Sequence, residues 1–97
     1  MALLAKRGTL RGTTVALPMR CLARKPCRGV LLLSANKNTT ELARVDLFVP
    51  ARATWVIEVT LSPAGVRYVR AHHRVPGFVT AVYNRAPLDI LPLTIFG

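Results

Sequence analysis

Trp55-Val-Ile-Glu-Val-Thr-Leu-Ser-Pro-Ala-Gly-Val-Arg-Tyr-Val-Arg70 holds two regular patterns separated by one punctuation mark. Before it, Trp55, Ile57, Val59 and Leu61 share one face of a strand, with Val56, Glu58 and Thr60 on the other. Ser62-Pro63 is the punctuation, and it admits two readings. Ser at an N-cap with Pro at the first helical position starts a helix, since Ser satisfies an orphan amide and Pro has none to orphan. A type I turn leading into another strand also accepts Pro and Gly here. The capping argument favours a short helix from 63 to about 71. On it Arg67 and Arg70 lie three apart, and Arg74 joins them if the helix runs one turn further. Val66 and Val69 line an adjacent face that would pack on a sheet. The alternative reading of the arginine row is a solvated helix face.

Upstream, Glu41 to Val49 alternates imperfectly, with Leu42, Val45, Leu47 and Val49 as its main apolar positions. Its second half reads as a strand ending at Pro50. Joined to 55–61 through Ala51-Arg-Ala-Thr54, it predicts an antiparallel hairpin. Val30-Leu-Leu-Leu-Ser34 is a short buried strand after the Gly29 turn, and 35–40 is a polar loop. Gly8, Gly12, Pro18 and Pro26 leave residues 1–28 as an irregular arm. Downstream, Val75-Pro-Gly77 closes the unit, Phe78 to Tyr83 forms a further strand, and Pro87 to Gly97 is an apolar extension. The expected fold class is therefore α+β: a small antiparallel β-hairpin or sheet with one short helix and an extended basic N-terminal arm. The segments are a basic arm (1–28), a hairpin-plus-helix domain (29–75) and an apolar Pro-containing extension (76–97).

The 97 residues allow one small domain. Fourteen Lys and Arg stand against four Asp and Glu, a net charge of +10. Eleven of the fourteen are Arg, whose planar fork pairs bidentately with phosphate. Eight of the basic residues and no acid lie in residues 1–40, while 41–97 carries a net of only +2. Such a balance speaks of an anionic partner rather than of fold. The acids Glu41, Asp46, Glu58 and Asp89 are too scattered for paired general acid–base work. With no phosphate-binding Gly loop and no nucleophile motif, the chain does not read as an enzyme.

Cys21 and Cys27 read as two reduced structural thiols, a disulfide being disfavoured without secretory features. A Cys2His2 metal site with His72 and His73 is the weaker alternative, because five residues separate the thiols. No cofactor, metal or small-molecule substrate is expected. Residues 1–20 are acid-free, hydroxyl-containing and Arg-bearing, the composition of an organellar transit peptide rather than a secretory signal. No run reaches the roughly twenty apolar residues that a spanning helix needs.

Read in order, several landmarks resemble one family. Cys21 with Lys25 and Gly29 stands where that family has a Cys-containing basic start with Gly-Lys. Ser34, Asn38 and Thr40 fall at the spacing of its Ser-His-x-x-Asn-x-Thr loop. Asp46-Leu47 stands near its Asn-Leu, and Leu61-Ser-Pro-Ala-Gly-Val-Arg67 matches its strand-to-helix junction. The chain thus resembles the bacterial-type large-subunit ribosomal protein twenty-eight family, in a mitochondrial version, over roughly 21–75. It departs from the pattern at Pro26, Ala35, Val45 and Ala64, and its hairpin is shorter.

The resemblance implies a structural constituent of the large subunit of a mitochondrial ribosome in the matrix, binding and stabilising rRNA through the arm and a hairpin–helix unit. The implied phosphate contacts are Lys6, Arg7, Arg11, Arg20, Arg24, Lys25, Arg28, Lys37, Arg44, Arg67, Arg70 and Arg74. Ser34, Asn36, Asn38 and Thr40 would reach sugars and base edges. The C-terminal extension would meet neighbouring ribosomal proteins. The alternative is an accessory subunit of a mitochondrial inner-membrane complex, respiratory or ATP synthase. Its basis is the apolar C-terminus beside basic residues that could meet anionic lipid. A free RNA-binding protein fits less well, for want of clustered aromatics on which bases could stack.

Overall fold

Alternation of buried and exposed side chains runs much further along the chain than the stretch at 55–61. A computed structural model describes residues 1–35, 41–85 and 87–97. In chain order the elements are β1 (Ala2–Leu3), β2 (Arg7–Thr9), β3 (Thr14–Arg20), β4 (Cys27–Ala35), β5 (Glu41–Val49), β6 (Thr54–Thr60), α1 (Pro63–His72), β7 (Arg74–Tyr83) and β8 (Leu88–Phe96). One sheet has the order β1-β3-β6, and the other β2-β8-β7-β4-β5. Every pairing is antiparallel except that of β2 with β8. The five-stranded sheet curls into a half-barrel, and the three-stranded sheet closes over its hollow side. Leu17 and Met19 from one sheet meet Leu31, Leu33, Leu47, Val79 and Ile95 from the other in a single core. Each large side chain fully removed from water there contributes about 1.5–3 kcal/mol.

This corrects the expected α+β class. Among the described residues strand accounts for 63% and helix for 11%, a two-sheet β structure carrying one helix. The predicted hairpin does not form: β5 pairs with β4, while β6 pairs with β3 along its whole length, from Thr14↔Thr60 to Arg20↔Thr54. A short connection permits a hairpin but does not compel one. The Pro50 to Ala53 turn is closed by the Ala53 amide donating to the Pro50 carbonyl (3.0 Å) and carries Arg52 at φ 57°. It hands the chain from one sheet to the other.

Nor is residues 1–28 an extended arm. Val15, Leu17 and Met19 are buried with outward-facing neighbours between them, as in any half-buried strand. Pro18 is accommodated because its carbonyl is what the sheet uses, accepting from the Leu4 amide at 2.9 Å. The later prolines follow the same logic. Pro76 lies just beyond the stretch of β7 that β4 covers, and Pro92 lies within the stretch of β8 that β2 leaves uncovered. Pro87 to Gly97 accordingly supplies a strand, burying Leu93 and Ile95 in the protein's own core.

The helix forms as the capping argument predicts. The Ser62 hydroxyl accepts from the Gly65 amide (3.0 Å), Pro63 opens the first turn, and Val69 is fully buried. The Ser62 amide and hydroxyl both donate to the Leu42 carbonyl (3.0 and 3.3 Å), which seats the helix start on β5. His73, at φ 60°, ends the helix, its amide donating to Val69 O at 2.8 Å. Arg74 therefore opens β7 and does not extend a helical arginine row.

The thiols also correct expectation. Cys21, just after β3, and Cys27, at the start of β4, form a disulfide with a Cα–Cα distance of 5.8 Å, within the usual range. Both are fully buried. The bond ties one sheet to the other, a geometric role that the argument from redox compartment could not weigh.

Candidate nucleic-acid interface

Three connections meet at one end of the molecule: the β3–β4 loop, the β5–β6 turn and the β7–β8 turn. Pairing puts them together, because Cys27 lies opposite Val49, Gly29 opposite Tyr83, and the Cys21 amide donates to Ala53 O (3.0 Å). Arg20, Arg24, Lys25, Arg28, Arg52 and Arg85 converge there, all exposed. Arg20 donates to Thr54 Oγ1 at 3.3 Å. The Arg28 backbone is locked to Asn84 in both directions: its amide donates to Asn84 Oδ1 (3.2 Å), and its carbonyl accepts from the Asn84 amide (3.0 Å). Asn84 and Arg85 adopt φ of 50° and 75°, the left-handed geometry that turns the chain. A cleft of about 610 Å³ between the loops is lined by Lys25, Pro26, Arg28, Asn84 and Arg85.

Two aromatic rings stand in this cationic field. Phe48 and Trp55 meet edge to face with centroids 5.7 Å apart, and the Arg28 guanidinium lies 5.2 Å from the Phe48 centroid. The exposed Asp46 lies two cross-strand rows in from Phe48, on the same face and opposite Val30. Asp89 is already engaged, accepting from the Met1 ammonium and from the Tyr83 hydroxyl (2.6 Å). The ammonium and the hydroxyl, in that order, hold the Asp89 carboxyl below its usual range despite partial burial. The same hydrogen bond, with desolvation and the carboxylate charge, pushes Tyr83 up to about 12.

A second group lies at the opposite end of β7, about 30 Å away at the rise of a strand. Lys6, Arg7 and Arg74 line a cleft of about 430 Å³ with Thr94 and Phe96. Arg7 stands 5.9 Å from the Phe96 centroid, and Arg70 donates to Gly12 O at 3.1 Å. Arg11 lies on the same side, bridged to Thr14.

The structure thus divides the expected RNA contacts. Arg20, Arg24, Lys25 and Arg28 gather at one end, and Lys6, Arg7, Arg11, Arg70 and Arg74 at the other. Arg67 is exposed on the helix and lines neither cleft. Arg44 is paired with Glu41 (3.3 Å). Ser34 is half-buried in β4. Asn36, Lys37, Asn38 and Thr40 lie outside the described residues, as does most of the polar loop that holds them. Arg52, Arg85 and the two aromatics were not expected there. Asn84-Arg85 carried a usable signal, since Asn tolerates the left-handed turn. Phe48 and Trp55 flank the short connection between β5 and β6, so their nearness was legible; their meeting at a corner between two sheets was not.

Comparisons with protein-family models, with curated proteins and with solved structures gave no match. Among the described residues, no helix is long and apolar enough to cross a membrane, and no group of three or more His, Cys, Asp or Glu is placed to hold a metal.

Proposed function

We propose that this protein is a non-catalytic RNA-binding component of a ribonucleoprotein, and in particular a structural constituent of the large subunit of a mitochondrial ribosome. The observation that carries the RNA-binding part is the cationic end: six Arg and Lys side chains on three converging connections and the strand ends beside them, set around exposed aromatic rings. Phosphate recognition needs that density of positive charge with so little acid beside it. The large-subunit assignment rests on the sequence landmarks at Cys21–Lys25 and Leu61–Arg67, not on a hairpin.

A second reading, as an accessory subunit of a mitochondrial inner-membrane complex, is favoured by a different surface. The outer face of the five-stranded sheet exposes Val82, Leu88 and Ile90, the last two at 57% and 58%, an apolar face of the kind that marks protein contacts. In the ribosomal reading the same face meets a neighbouring ribosomal protein. Sedimentation of the tagged protein separates the two. Co-migration with large ribosomal subunits, lost on RNase treatment, is expected. Co-purification with a respiratory or ATP synthase complex, indifferent to RNase, would sink the ribosomal reading.

A further inference from the structure

We propose that Phe48 and Trp55 form a stacking platform for unpaired RNA bases, flanked by Arg20, Arg28 and Arg52 for the adjoining phosphates; this rests on the RNA-binding reading and specifies its ligand as single-stranded. The rings meet at the corner where the chain passes from β5 to β6. They remain 37% and 48% exposed while Val49 and Met19, beside them in sequence or register, are fully buried. Trp55 stands opposite Met19 in register, so the pair borders the core, yet more than a third of each residue stays open to water at this corner. A base has a π-face that such rings accept whatever its identity. The Arg28 guanidinium, already 5.2 Å from the Phe48 centroid, can share the stack or reach the next phosphate. Bases inside a duplex are stacked on each other and cannot use the platform, so the site distinguishes single strands from helices.

Trp55 is the only tryptophan, so its emission reports this corner alone. The test titrates the full chain with a short oligouridylate and with an RNA duplex of matched length at low salt, following anisotropy of the labelled RNA and Trp55 fluorescence together. The single strand is expected to quench Trp55 with the same midpoint as the anisotropy curve, while the duplex binds without quenching. Phe48→Leu should weaken oligouridylate binding by about tenfold, the size of loss typical for one stacking ring, and weaken duplex binding far less. Single-strand binding without quenching, or equal quenching by the duplex, would overturn the platform while leaving RNA binding intact. Binding of neither RNA would overturn both readings. The quenching arm uses the unaltered chain, so it decides the matter even if Phe48→Leu fails to fold.

Discussion

Gly65 is where the helix comes closest to the sheet: a Cβ built there would lie 2.7 Å from the Leu42 carbonyl oxygen. Two effects oppose each other on substitution. Alanine raises helix propensity by about 1 kcal/mol, but the clash is with backbone that Ser62 already holds in place, and overpacking of that kind costs about 1–3 kcal/mol. Gly65→Ala is therefore expected to destabilise by about 1 kcal/mol net, measured as a lower urea midpoint; a stabilised variant would mean that the helix can slide away from β5. A second residue-scale prediction concerns pH. Asp89 has a depressed carboxyl pKa, so its contribution is present above the unfolded value near 4 and is lost as pH falls. Tyr83 has a raised pKa, so its contribution is complete below 10 and is lost as pH rises through about 12. Chemical denaturation across pH should show both declines, and Tyr83→Phe should remove that part of the alkaline one. An unchanged alkaline decline in the variant would show that the hydroxyl is not linked to folding.

Between elements, the Cys21–Cys27 bond joins the end of β3 to the start of β4 across the two sheets. Its loop is short, so the entropy removed from the unfolded chain is worth about 2 kcal/mol. The Cys21→Ala, Cys27→Ala double variant should be less stable by that amount, seen as a lower denaturant midpoint, and keep its far-UV circular dichroism, because the core alternation does not depend on sulfur. Retention of full stability would mean that the thiols are ordinary core residues. What the sequence disclosed at this scale followed from local chemistry. Ser62-Pro63 signalled the helix because a cap is satisfied within three residues, and Val30–Ser34 and Phe78–Tyr83 signalled strands by their apolar runs. Val15, Leu17 and Met19 had the same period of two, yet Gly12 and Pro18 around them drew the reading toward an arm. Proline excludes a strand only where its missing N–H would be needed, and that depends on which neighbour lies alongside. The pairing of β6 with β3 was hidden for a related reason. Partners thirty or more residues apart are chosen by the packing of the whole core.

For the molecule as a whole, charge was legible as an amount and not as a place. Arg20, Arg24, Lys25 and Arg28 are close in sequence, but an extended arm gave them no common place in the fold; the β3–β4 loop, with the strand ends beside it, does. Arg52 and Arg85 joined them only because three connections meet at the same end of the two-sheet body. If four to six phosphates are neutralised there, the logarithm of RNA affinity should fall against the logarithm of salt with a slope of about −3 to −4. Replacing Arg24 and Lys25 with Ala should reduce that slope by about 1.4, while replacing Arg44, already paired, should leave it unchanged; equal effects would mean that the charge acts diffusely. The second cationic group matters in another way. The body measures 40 × 22 × 19 Å, and its two groups sit at opposite ends of continuous strands that cannot fold back on one another. If both groups bind RNA, such a rod is bivalent. Scarce copies would staple two RNA segments at a fixed separation, whereas an excess would cap each segment with its own copy. RNA compaction should therefore peak near equivalence and reverse beyond it.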